Sequence, residues 1–311
     1  MNRPLSSVSS PSRRRLLFSA ATLAAPLSAH SQRRAGAADT DRARPLLCLF
    51  SKHLPKLNYS ELGPECRRFG FDGVDLTVRP GGHVLPENVE RDLPLAQAAI
   101  EAAGMALPMI TTGLTSPRDP AAEPTLRTAG QLGIPYFKIG YTRYRDADVL
   151  DVLARNKRDT AGLVELGARH GVAAGYHNHS GDYVGSPVWD IYEMIRDLDP
   201  RWIGYYFDPC HATAEGGLAG WRLALNIALK RLKMVALKDF YWRQDQQGRW
   251  RMQMCPMGKG MVDWGAFFST IAKAGFRGPM SLHVEYDPPD EPAAIAADLA
   301  FIKRMVEKHY E

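Results

Sequence analysis

Ala168-Arg169-His170-Gly171-Val172-Ala173-Ala174-Gly175-Tyr176-His177-Asn178-His179 is the stretch that decides the fold. Its first residues close a helical pattern. Gly171 then stands where a helix ends in the left-handed conformation that glycine adopts without steric cost. A short β-rich run follows and finishes on polar residues. The same order recurs along the chain. Arg67-Arg68-Phe69-Gly70-Phe71 precedes Val74-Asp75-Leu76, and Ala102-Ala103-Gly104-Met105 precedes 107–110. Gln131-Leu132-Gly133-Ile134 precedes 136–139, and Lys273-Ala274-Gly275-Phe276 precedes 280–284. Strands alternating with helices at intervals of about 30 residues imply parallel βα units.

The pattern predicts eight strands, at 46–50, 73–77, 106–111, 136–140, 173–177, 203–208, 234–238 and 280–285. Helices are expected between them, at 88–103, 147–170, 187–198, 263–274 and 292–309, the last with Ile295, Leu299, Ile302 and Val306 at helical spacing. Eight such units over residues 45–311 fit an α/β fold of the (β/α)8 TIM barrel type as one domain. A doubly wound sheet is the alternative, and it lacks a G-x-G-x-x-G after an early strand.

The chain has 311 residues, 39 Lys and Arg against 34 Asp and Glu, and a net charge of +5. The excess is local. Residues 1–37 hold Arg3, Arg13, Arg14, Arg15, Arg33 and Arg34 and no acid, which leaves the rest at 33 basic against 34 acidic residues. That balance argues against nucleic acid as a partner. Ser12-Arg13-Arg14-Arg15-Leu16-Leu17 resembles a twin-arginine export signal. An apolar stretch at 16–27 follows, too short to span a bilayer, then small residues suited to cleavage. Residues 1–38 are therefore expected to be a signal peptide and linker. The export machinery would be its partner, and the destination periplasmic or secreted, with no membrane span. The four cysteines, Cys48, Cys66, Cys210 and Cys255, form no C-x-x-C pair and are expected as buried thiols.

Chemistry in such barrels sits at the C-terminal strand ends. The expected strands place Asp75, Thr111, Thr112, Lys138, His177, His179, Asp208, His211, Lys238, Asp239 and Glu285 there. A charge that closes an apolar strand must be paired or bound, because burying it alone costs several kcal/mol. His177 and His179 lie two apart and share a face, as imidazoles able to take a metal or a proton. Asp208 closes the sixth strand, and His211 is expected in the turn just beyond Pro209. Glu285 suits a divalent cation or a general base. At Lys238 two roles stand open: polarising a substrate oxygen, or neutralising Asp208 or Glu285. Trp242, Trp189 and Tyr206 are candidates to line a sugar face.

Together Gly70-Phe71-Asp72-Gly73-Val74-Asp75-Leu76, Tyr176-His177-Asn178-His179, Asp208-Pro209-Cys210-His211, Leu237-Lys238-Asp239 and His283-Val284-Glu285 resemble the sugar phosphate isomerase/epimerase family with a xylose isomerase-like barrel. The resemblance implies proton abstraction next to a sugar carbonyl and a divalent metal, Mn, Mg, Co or Zn. Family members ligate it with glutamates of strands five and eight, an Asp of strand six and a His of strand seven. Here His177 stands at the strand-five position and Ala236 at the strand-seven position. The implied metal set is His177, Asp208 and Glu285, with His179 or His211 completing it. A His on strand five also resembles the inosose dehydratase branch, which eliminates water.

The leading expectation is thus a metal-assisted isomerase or epimerase acting on a free sugar, keto-sugar or cyclitol, possible as an oligomer. Glu285, His211, Lys238 and His179 are its catalytic candidates, and Asp75, Lys138 and Trp242 its substrate-binding ones. A lyase and a non-catalytic exported sugar-binding protein are the rivals. A related barrel endonuclease is disfavoured by the charge.

Overall fold

The repeated unit folds as its glycines demand. In the computed structural model, which describes residues 43–145 and 147–310, Gly70, Gly104, Gly133, Gly171 and Gly275 all take positive φ, between 70° and 91°. The chain runs β1 Leu47–Phe50, α1 Tyr59–Phe69, β2 Gly73–Val78, α2 Val89–Ala102, β3 Ala106–Thr112, α3 Ala122–Gln131, β4 Tyr136–Lys138 and α4 Val149–His170. It continues β5 Ala173–His177, α5 Val188–Ile195, β6 Ile203–Phe207, α6 Pro209–Leu229, β7 Leu232–Leu237, β8 Asp239–Gln244, β9 Trp250–Cys255, α7 Trp264–Lys273, β10 Met280–Leu282 and α8 Glu291–Tyr310. Eight parallel strands close into a barrel in the order β1-β10-β7-β6-β5-β4-β3-β2. The expected (β/α)8 architecture is the one observed.

Register fixes which side chains enter the barrel. Residues two apart on a strand share a face, and Met109, Tyr136, Ala173, Tyr206, Met234 and Ala236 form a buried cluster of their own, apart from the main core beneath the helices. Continued two residues towards the strand ends, the same inward files arrive at Thr111, Lys138, Asp208 and Lys238. A dry floor therefore carries a polar rim.

Three features differ from expectation. The segment after β7 turns out of the barrel as an antiparallel hairpin, β8 with β9, in which Trp242 faces Met252 and Gln244 faces Trp250. Asp239 pins it: its buried carboxylate accepts from the Gly258 and Gly260 amides at 3.0 and 3.1 Å and from Trp264 Nε1 at 2.9 Å. Secondly, His211 does not lie in a turn. Asp208 caps α6 by accepting from the His211 amide at 3.1 Å, and Pro209, which lacks an N–H, occupies the first helical position at no cost. The eighth barrel strand also stops at Leu282, although the His283 amide still donates to the Leu237 carbonyl at 2.9 Å.

The four cysteines are buried thiols. Among the described residues no helix is long and apolar enough to cross a membrane. The twin-arginine-like segment, 1–38, lies outside the described residues.

Candidate active site

At the C-terminal rim the strand ends converge on a charged cluster. Lys238 Nζ lies 2.9 Å from Glu285 Oε2 and 3.3 Å from Asp208 Oδ2, with only 2% of the Lys238 side chain exposed. Burial opposes its charge, but the two carboxylates outweigh that and raise the ammonium above the usual lysine range. Glu285 responds in kind. Burial works against its ionisation, yet Lys238, with Lys52 Nζ at 3.2 Å from Oε1, holds it far below the usual carboxylate range.

Beside this cluster stand the imidazoles. His177 Nε2 is 3.2 Å from Asp208 Oδ2, and its Nδ1 is 2.5 Å from the Tyr141 hydroxyl. A carboxylate can only accept, so His177 carries its proton on Nε2 and accepts from Tyr141 on Nδ1. Burial, with Lys238 and Lys138 nearby, pushes it well below the usual histidine range, so the ring is neutral. His179 Nδ1 is 2.9 Å from the Ser180 carbonyl oxygen. That nitrogen donates, which leaves the Nε2 lone pair of the neutral ring free to accept a proton. His211 lies over His179 with ring centroids 4.1 Å apart, and its buried Nε2 has no hydrogen-bond partner. Across the mouth, His283 Nε2 meets the Tyr206 hydroxyl at 3.0 Å, while its buried Nδ1 is also without a partner.

These groups surround a cavity of about 90 Å³ lined by Phe50, Lys52, Arg79, Thr111, Lys138, Tyr141, His177, His179, Tyr206, His283 and Glu285. Lys138 is 2% exposed and its Nζ stands 3.2 Å from the Tyr141 ring centroid. Burial, then the nearby Arg79, pulls it well below the usual lysine range. Among the described residues neither Lys138 nor Arg79 forms an ion pair. Arg79 thus stands on the pocket wall as a guanidinium without a carboxylate partner among the described residues.

Most sequence candidates meet here. His177, His179, Lys138 and Glu285 line the cavity, and Asp208, His211 and Lys238 lie directly against its walls. Others do not reach it. Asp75 is fully buried below, its oxygens accepting from Thr111, Ser281 and Tyr206 at 2.7, 2.8 and 3.1 Å. Burial moves it up to about 6. It braces the interior layer and is shielded from the cavity. Trp242 sits on the β8–β9 hairpin beside Trp250, 41% exposed, because the hairpin carries it outward. Trp189 lies on α5, 58% exposed, against Tyr192. Asp239 points outward into its own loop. Lys52, Arg79 and Tyr141 were not foreseen. Lys52 and Arg79 follow β1 and β2 within two residues and obey the same strand-end rule; Tyr141 enters through its loop and carries no such signal.

An eightfold α/β barrel with a polar, partly cationic pocket at its strand ends is the class that fold and site define. The family model for the xylose isomerase-like TIM barrel matches residues 64–305, and the chain belongs to that family. No curated protein matches the sequence. Among solved structures, an L-ribulose 3-epimerase superposes with a TM-score of 0.66 at 17% identity, covering 85% of this chain and 95% of its own. The 3-keto-D-glucoside 4-epimerase YcjR from E. coli gives 0.66 at 16% identity, covering 84% and 100%. The zinc-bound IOLI protein gives 0.67 at 16% identity, covering 85% and 99%. At these identities the likeness establishes the shared fold.

His211 Nε2 and His283 Nδ1 stand unpartnered 3.7 Å from Asp208 Oδ2 and 3.9 Å from Glu285 Oε1, but the strand-five, strand-six, strand-seven and strand-eight positions do not fit the divalent ion that the family implies. The Asp208 and Glu285 carboxylates already clasp an ammonium. Both His177 nitrogens are engaged, and the inward β7 position is Ala236, packed in the interior cluster. Among the described residues no three His, Cys, Asp or Glu side chains are arranged to hold a metal ion.

Proposed function

We propose that this protein is a sugar isomerase or epimerase that moves a proton on the carbon next to the carbonyl of a free sugar, keto-sugar or cyclitol. One observation carries the reading. Glu285, held ionised, and His179, neutral with a free Nε2, line one cavity from the ends of β10 and β5, three places apart around the barrel. His179 on one wall suits removal of a proton from the carbon, and Glu285 on the other, a weak base while Lys238 and Lys52 hold it, suits fixing the substrate's hydroxyl groups opposite.

Removing that proton places negative charge on the carbonyl oxygen. Arg79 and Lys138, which have no ion-pair partners among the described residues, lie on the cavity wall as donors for it. Tyr141, fixed by His177 and by the Lys138 amine over its ring, closes one side and limits water. His211 backs His179 and steadies its ring. The family membership and the epimerase neighbours support the same reading. Water elimination would start from the same proton removal, so product analysis separates a lyase from an isomerase. Export through the segment 1–38 would deliver the enzyme to a compartment of free sugars.

The test is incubation of the full chain with a panel of ketoses, aldoses, keto-sugars and inososes in D₂O, read by NMR. Deuterium is expected on a carbon adjoining the carbonyl in at least one of them. Glu285→Gln and His179→Gln should each slow its entry by about 100-fold. Binding of a sugar with no deuterium entry in any would overturn the assignment in favour of a binding protein.

A further inference from the structure

We infer that the Lys238 ammonium is the resident cation of this site, standing between the two rim carboxylates where the family's fold would place a divalent ion. The inference deepens the proton-transfer reading and rests on it only for the rate; which cation the carboxylates hold is a separate question.

Three features carry it. First, Lys238 extends the inward file of β7 after Met234 and Ala236 and delivers its Nζ to Asp208 at 3.3 Å and Glu285 at 2.9 Å, with 2% of its side chain exposed. These are ammonium-to-carboxylate spacings. A zinc or similar ion needs oxygens at about 2.0–2.2 Å, so it could enter only by expelling the lysine. Holding both would set a divalent charge against a buried ammonium at a few ångströms, which no remaining anion offsets. Second, a metal-binding imidazole must aim a lone pair at the ion. His177 Nε2 faces Asp208 Oδ2 at 3.2 Å and must donate there, and Nδ1 accepts from Tyr141. Third, position 236 is alanine, so β7 offers a methyl group where a ligand would have to reach inward.

The substitution is coherent as chemistry. A single buried ammonium neutralises half of the two-carboxylate charge without an exchangeable ion. Lys52, at 3.2 Å from Glu285 Oε1, adds a second positive charge from the solvent side. The site then needs nothing loaded into it to hold Glu285 ionised.

The experiment is titration of chelator-treated full-length protein with Mn²⁺, Co²⁺, Zn²⁺ and Mg²⁺, followed by calorimetry, Co²⁺ absorption and thermal unfolding. The wild type is expected to show no saturable binding at this site below about 1 mM and no rise in Tm. The double variant Lys238→Met with Ala236→His removes the ammonium and restores a donor. It should bind about one Co²⁺ per chain at least tenfold more tightly than wild type. A parallel titration of Asp208→Asn locates any binding. Wild-type binding that Asp208→Asn abolishes would overturn the inference, as would a folded double variant that binds no better than wild type. Wild-type binding that survives Asp208→Asn lies elsewhere and upholds it. Should the double variant not fold, the wild type and Asp208→Asn decide. A failed deuterium assay leaves these titrations unaffected, so the two readings fall separately.

Discussion

His53, one residue beyond Lys52 at the end of β1, stacks edgewise on Phe50 with centroids 5.9 Å apart. Only 6% of it is exposed, and its Nε2 has no hydrogen-bond partner. Burial pushes its pKa down from 6.5 to about 4. The folded protein therefore holds the ring neutral while the unfolded chain protonates it below pH 6.5. More protons bound in the unfolded state mean that stability rises with pH, so His53 contributes fully above pH 6.5 and loses its contribution as pH falls towards 4. The interval corresponds to about 3 kcal/mol. Denaturant unfolding at pH 7, 5.5 and 4 should show His53→Phe gaining that much on the wild type between the extremes. Parallel curves for the two proteins would refute it. The other rim imidazoles, His177, His211 and His283, shift in the same direction because they too are buried. They steepen the slope in both proteins, and His283, 6.4 Å from His53 between ring centroids, is shifted slightly less once His53 is replaced.

At the scale of the element, Asp239 shows how a residue adjoining the site can serve the scaffold. It opens β8, and its carboxylate gathers the Gly258, Gly260 and Val262 amides and the Trp264 indole. Those donors belong to the loop that leads from the hairpin into α7. Asp239→Ala would leave several buried N–H groups unsatisfied, at about 1–3 kcal/mol each before relaxation. Expected is a loss of about 3 kcal/mol or more in thermal or denaturant unfolding, with the hairpin first to lose amide-exchange protection. A second contrast tests the barrel wall. A β-carbon at Gly204 on β6 would overlap the Arg231 carbonyl oxygen, which is backbone, whereas one at Gly175 on β5 would meet the terminal methyl of Met234, which can move. Gly204→Ala should therefore destabilise the protein by more than Gly175→Ala, by about 1 kcal/mol or more. Equal midpoints for the two variants would count against the stated register.

For the whole molecule, the barrel surrounds a polar mouth while the excess of basic charge sits in the first 37 residues. The body's near-neutral balance gives no general field for polyanions, so the Arg79 guanidinium on the pocket wall acts only at short range. We propose that the N-terminal segment addresses the protein to the periplasm. A fusion of residues 1–38 to a folded fluorescent reporter should be exported in a bacterial host with a twin-arginine system. Arg14→Lys with Arg15→Lys should retain it in the cytoplasm by at least tenfold, measured by fractionation. Equal distribution of both fusions would remove the export reading.

Local sequence determined the βα repeat, because positive-φ glycines at helix ends and short apolar runs are properties of a few neighbouring residues. It also determined which polar groups close the strands, because period-two alternation carries the inward face to the rim. His177, Asp208, Lys238 and Glu285 were legible for that reason, although they span more than a hundred positions. The hairpin after β7 was not. Its alternation continues the barrel strand without a break, and only antiparallel pairing with a later segment turns it outward, taking Trp242 away from the mouth. Tyr141 was hidden because a loop path obeys no period. That Lys238 pairs with both Asp208 and Glu285 was likewise decided by tertiary structure. Closure brings β6, β7 and the segment after β10 together, and a buried ammonium stands between two carboxylates, a juxtaposition no single strand contains.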